Sequence, residues 1–154
     1  MKATYFLRAA SALALLQSVL HTIGGVFGKP LPGPATTAVL AMKSNQFLVT
    51  GLNRSYWDFF IGFGLAITIF LAAEGLVFWL LGNLVKIHGA PLRPILWVLF
   101  GGYSALAIDA ALLFFPPPLI GDSLIALCLL GAILTTKPAV AHAVPLHAQT
   151  ASGD

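Results

Sequence analysis

The sequence predicts an all-α membrane protein, an up-down-up-down bundle of four transmembrane helices, and three observations carry that expectation. Hydrophobic residues make up 58% of the 154 positions and charged residues 8%, far outside the usage of water-soluble domains. Four apolar runs approach the ~20 residues that a helix rising ~1.5 Å per residue needs to cross a hydrocarbon core. The breaks between runs include KPLPGP and FPPPLIGD, which interrupt a helical pattern because proline has no amide hydrogen to donate and clashes with the preceding turn.

The first span is read as about Tyr5 to Gly28. Lys2 and Arg8 precede ASALALLQSVL as they would in a secretory leader, but the apolar character continues through HTIGGVFG with no clear small-x-small cleavage site. A retained helix is therefore expected. The second span, Trp57 to Asn83, is the clearest, since Glu74 is its one ionisable residue between Phe59 and Leu81. The third and fourth, Pro94 to Phe115 and Leu119 to Thr136, are separated by three successive prolines and form an antiparallel hairpin. Residues 29–56 make the one long connection, which reads equally as a short interfacial helix beginning at Pro34 or as an unstructured loop. Together these form one membrane domain over residues 1–136. The tail from Lys137, residues 137–154, is too polar and too broken to span and is expected to be disordered.

Orientation follows from the cationic residues, because positively charged loops tend to stay cytoplasmic. Lys2, Arg8, Lys86, Arg93 and Lys137 fall on one side, and Lys29, Lys43 and Arg54 on the other. Both termini are expected to be cytoplasmic. Asp122, in the turn between the last two spans, faces out on this reading. Tyr56 and Trp57 at one boundary, and Trp79 and Trp97 at the other, suit aromatic interface belts.

Ionisable groups inside spans are the best functional pointers, since a charge in lipid is costly unless neutralised, paired or hydrated. They are His21, Glu74 and Asp109. Helical rise puts His21 and Asp109 about 10 Å and about 9 Å inside the outer ends of their spans, so they are expected to meet. Glu74 lies about 24 Å beyond Asp58 along the second span and faces about 160° away from it. Gln17 stands one turn below His21. Tyr103 and Ser104 lie deeper than Asp109, so a polar ladder ending at Glu74, with Tyr103 as its partner, is one expectation. Arg54 is placed to pair with Asp58 at the entry to the second span. Gly24, Gly28, Gly62 and Gly64 are read as helix-packing positions.

Motifs for familiar chemistry are missing: there is no HExxH, CxxC, P-loop, GxSxG or GxGxxG. No metal or other cofactor is expected, His88, His142 and His147 being far from His21 in the proposed topology. The net charge of +3 is spread without a basic block, so nucleic acid is not an expected partner and membrane lipid is. Oligomeric state is left open. Cys128, the single cysteine, is read as a buried thiol.

HTIGG, MKSNQF and GLNRSYWDFFIGFGL resemble a group of small uncharacterised bacterial four-helix membrane proteins carrying H-x-x-G-[GH] and then R-[ST]-x-x-D-[FY]-x-x-G-[FY]-G. That resemblance implies the same architecture and a shared outer-face site at His21, Gly24, Arg54, Asp58, Gly62 and Gly64, without implying a reaction. A looser likeness, of fold alone, is to membrane sterol isomerases and sterol-binding proteins. The functional expectation is a non-catalytic scaffold or lipid- or ligand-binding bundle. The alternative is a membrane enzyme acting on a lipid-like substrate by acid–base chemistry, or a proton-coupled carrier, using His21, Asp58, Glu74 and Asp109.

Overall fold

Local chemistry at the chain's breaks accounts for where each element begins in the computed structural model, which describes residues 2–136; the expectation for the tail, with Lys137, His142 and His147, lies outside the described residues. Helix α1 (Lys2–Leu20) continues directly into a π-helical turn over His21–Val26. There follow α2 (Pro34–Ser44), β1 (Gln46–Val49), β2 (Leu52–Ser55), α3 (Tyr56–Leu84), α4 (Gly89–Leu113) and α5 (Pro116–Thr135). Four of the helices, Lys2–Val26, α3, α4 and α5, are long and apolar enough to cross a membrane. Their outward surface is apolar as well: Phe63, Ile69 and Phe70 of α3 are 68%, 67% and 70% exposed. A helix of a water-soluble protein would carry polar residues there.

Two helices start earlier than the apolar runs indicate, and for α5 proline is the reason. The three prolines between the third and fourth spans open α5 instead of separating it from the turn, since Pro116, Pro117 and Pro118 occupy its first turn. Amide hydrogens in that turn have no intrahelical acceptor, so proline there sacrifices no helical bond. Asp122 thereby moves from the expected turn into the second turn of α5, where it is 6% exposed. Helix α4 likewise begins at Gly89 and carries Pro94 internally.

The long connection contains more structure than either expectation for it. Pro34 does begin a helix, but Gln46–Ser55 folds into an antiparallel hairpin pairing Gln46 with Ser55 and Val49 with Leu52. Thr50 and Gly51 form its two-residue turn, with φ of 47° and 84°. Positive φ at both central positions matches the type I′ geometry whose twist suits a tight hairpin. Phe47 of β1 tilts against Tyr56 and stacks on Phe59 at centroid distances of 4.8 and 5.5 Å, fastening the hairpin to the start of α3.

Helix α1 occupies the centre, packed against both α3 and α5, while α4 lies against α5. Its buried residues, Ala3, Leu7, Ala10, Ser11, Ala14 and Ser18, recur at helical spacing and are mostly small, so two neighbours approach closely. Around them the core gathers Phe78, Leu81, Leu96, Tyr103, Ile125, Leu129 and Ile133. Cys128 packs at the edge of this core and is half-buried, where full burial was expected. The close glycines include Gly75, Gly64, Gly121 and Gly131, where an added Cβ would press on Leu15, Val26, Gln17 and Phe6 respectively. Gly24 and Gly62 face open space, and Gly28 meets only the Gly24 backbone of its own turn. Of the four positions read as packing glycines, Gly64 alone touches a second helix.

Candidate functional site

Sorting the polar side chains by their distance from the middle of each helix separates them into two classes. Glu74 and Asp122 lie about 6 Å and about 5 Å from the midpoints of α3 and α5 at 1.5 Å per residue. Each is held by a side chain from another helix. Tyr103 Oη of α4 donates to Glu74 Oε2 at 2.7 Å, and Gln17 Nε2 of α1 donates to Asp122 Oδ1 at 2.9 Å. Asp58 and Asp109 lie about 18 Å and about 12 Å from their helix midpoints, against a hydrocarbon half-thickness of ~15 Å. Both are exposed. The carboxyls that lipid would penalise most are those that carry an interhelical partner.

Asp58 serves the local fold. Ser55 is the N-cap of α3, and its amide and hydroxyl donate to Asp58 Oδ2 at 2.8 and 2.9 Å, while the Asp58 amide donates back to Ser55 Oγ at 3.2 Å. This reciprocal capping box satisfies donors that the first turn leaves free, and it places a negative group at the positive end of the helix dipole. The expected pairing of Arg54 with Asp58 is replaced by this arrangement: Arg54 is exposed and its Nη1 donates to the Asn53 carbonyl at 3.0 Å.

His21 opens the π-helical turn, and its Nε2 lies 3.1 Å from Gly64 O. Because a carbonyl only accepts, this contact requires the Nε2–H form. The adjacent Thr22 Oγ1 meets Thr68 Oγ1 at 3.0 Å, Ser18 Oγ donates to Thr68 O at 2.9 Å, and Ser11 Oγ donates to Gly75 O at 2.7 Å. The polar groups along this side of α1 thus clamp α3 through its backbone carbonyls. At the far end Arg8 Nη2 donates to Asn83 Oδ1 at 2.8 Å, and its guanidinium sits 3.0 Å from the centroid of the Trp79 ring.

The polar ladder read from the sequence is therefore divided among three seams. His21 belongs to the α1–α3 seam, Gln17 to α1–α5 and Glu74 to α3–α4. Gln17 turns to Asp122 instead of His21, and Ser104 donates back to Phe100 O within α4. His21 and Asp109 are not joined: α1 packs on α3 and α5, whereas Asp109 stands on an exposed face of α4. Neither principal cavity has a wall made by His21, Glu74, Asp109 or Asp122. Among the described residues no group of three or more His, Cys, Asp or Glu is arranged to hold a metal ion. Sequence reasoning passed over Arg8, Ser11, Ser18, Thr22 and Thr68, although Ser11 and Ser18 sit seven residues apart and so share a face of the first helix.

HTIGG and the segment that opens α3 meet at the His21–Gly64 contact. Comparison with protein-family models, curated proteins and solved structures finds no match.

Proposed function

We propose that the chain is a non-catalytic integral membrane protein, a small scaffold whose intramembrane polar groups fasten its helices to one another. One observation carries this reading. Each carboxyl near a helix midpoint is engaged by a donor on a different helix, in a seam of its own. An acid–base enzyme would need a histidine and a carboxyl converging on one cavity, whereas separate hydrogen-bonded pairs in different seams are the arrangement of interhelical glue.

The up-down-up-down order is supported by the sense of the contacts. Along α1, Ser11, Ser18 and His21 meet Gly75, Thr68 and Gly64 of α3 in descending order. Gly131 of α5 approaches Phe6 of α1, and Asp122 approaches Gln17. Membrane insertion is supported by the apolar outer faces and by Trp79 and Trp97 at the opposite end from Trp57. The likeness of HTIGG and RSYWDFFIGFG to bacterial four-helix membrane proteins favours the bacterial inner membrane, and the distribution of Lys and Arg favours both termini cytoplasmic.

The functional test compares wild type with Glu74→Gln and His21→Ala after purification in mild detergent, reading thermal midpoint and co-purified lipid by mass spectrometry. Both variants are expected to melt lower by a few °C, at about 2–4 °C per kcal/mol for a chain of this size, with lipid content unchanged. Loss of a specific lipid at an unchanged midpoint overturns the glue reading. Orientation is tested with a cysteine at Ser44 in a Cys128→Ala background. A membrane-impermeant maleimide should label intact cells, and labelling only after membrane disruption reverses the assignment.

A further inference from the structure

A cavity of about 490 Å³ lies outside the helical core, in the range of ~300–1,000 Å³ common to small-molecule sites. It is an open groove between α2, the end of the π-helical turn and the start of α3. Helix α2 contributes Thr36, Val39, Leu40 and Lys43, spaced so that they share one helical face. That face is apolar in its middle, yet α2 has no buried residue. Leu40 is 61% exposed and, across the groove, Phe27 is 63% exposed. A helix that turns apolar side chains toward a gap it does not close has room for an apolar guest.

The charge around the gap is of one sign. Lys29 and Lys43 line it, and no described acidic residue does. Lys43 Nζ stands 4.8 Å from the Trp57 ring centroid, which holds the ammonium at the groove's edge. Both lysines belong to the segment between the first two membrane-length helices, so on the membrane reading proposed above, on which this inference rests, they sit at headgroup level. The π-helical turn forms one wall through Val26 and Phe27, and such turns are enriched at functional positions.

We propose that this groove is a binding site for an anionic phospholipid, with one acyl chain along Val39, Leu40 and Ile61 and the headgroup phosphate between Lys29 and Lys43. A lysine near a membrane surface favours an anionic lipid by roughly fivefold, so two give a preference of about 30-fold over a zwitterionic lipid with the same chains.

The test uses the full chain, delipidated in mild detergent and titrated with dioleoyl phosphatidylglycerol or dioleoyl phosphatidylcholine, with bound lipid counted by native mass spectrometry. Wild type should saturate at one phosphatidylglycerol per chain and bind phosphatidylcholine about 30-fold more weakly. Lys29→Gln with Lys43→Gln should erase that preference. Leu40→Glu, which introduces a carboxylate at an exposed position, should erase it as well and serves if the lysine variants fold poorly. Equal binding of the two lipids, or an unaltered preference in both variants, overturns the proposal. Displacement of phosphatidylglycerol by millimolar inorganic phosphate would make the site one for a free anion and also overturns it, as would a dimer that the lipid does not dissociate. Alkaline carbonate extraction of native membranes keeps the two readings apart. Release of the chain contradicts the membrane reading, whereas retention together with equal lipid binding contradicts the groove alone.

Discussion

Tyr103→Ala lowers the stability of the bundle more than truncation of any other seam residue, by about 2–4 kcal/mol. That places it toward the lower part of the range for removing a large aromatic from a core, because the separated helices remain in lipid and little transfer from water is involved. Tyr103 is 2% exposed and tilts against Phe78 at a centroid distance of 5.7 Å. These two rings occupy the space between α3 and α4, which make few other contacts for neighbours joined by so short a turn. Removing one ring opens that seam and at the same time strips Glu74 of its donor. Thermal unfolding in mild detergent, with helical circular dichroism as the signal, reads the loss.

Gly75→Val is the second large effect, expected at about 1–3 kcal/mol for overpacking an established interface. An added Cβ at Gly75 would stand 2.7 Å from Leu15 Cγ, 2.8 Å from Leu15 Cδ2 and 3.3 Å from the Ser11 carbonyl oxygen. Leu15 has some freedom to turn away; the Ser11 backbone has none without moving α1. The separation forced on the helices also lengthens the bond from Ser11 Oγ to Gly75 O. Gly62→Ala is the internal control, since nothing lies within 4 Å of a Cβ there. It should be neutral, or stabilise by up to ~1 kcal/mol through helix propensity. Equal destabilisation by the two substitutions would show that Gly75 is not a point of close approach.

The contrast between those two glycines shows what was legible in the sequence and what was not. Membrane-length helices are a property of local composition, and all four were readable from apolar length. The face a residue occupies is set by which helices are neighbours, and linear spacing does not reveal that. Gly24 and Gly28 have the spacing of a packing motif yet meet no second helix, whereas Gly75, beside Glu74, is a point of close approach to α1.

Depth was similarly readable and proximity was not. His21 and Asp109 do lie at comparable distances from their helix ends, but they stand on helices that face different partners. Asp122 shows how a small boundary error propagates. Starting the last helix at Leu119 leaves Asp122 close to the solvent-facing end, and starting it three residues earlier, at Pro116, carries it to the Gln17 contact. The hairpin was hidden because its strands have four residues each and its turn is Thr-Gly, a weaker signal than Asn-Gly. The capping box was latent in RSYWD, where serine and aspartate stand three apart, but the nearby arginine offered a competing explanation for the carboxylate.

On the proposed reading, the polar pairs between helices are joints, while others serve their own helix. The motif-bearing residues His21, Asp58 and Gly64 become, respectively, a clasp on α3, a helix cap and a close-packing position. Replacing His21 or Asp58 by an apolar residue should cost stability through the partner left behind, and enlarging Gly64 should cost it through pressure on Val26.

The most direct test of that claim is a double-mutant cycle on Tyr103→Phe and Glu74→Leu, read as unfolding free energy in mild detergent. Each single substitution leaves a polar group in the seam without its partner, and the double substitution removes both. If the pair is interhelical glue, the coupling is about 0.5–2 kcal/mol, with the double variant at least as stable as the weaker single. Losses that simply add, with coupling within about 0.3 kcal/mol of zero, would contradict that role and return Glu74 to the residues in need of a functional explanation.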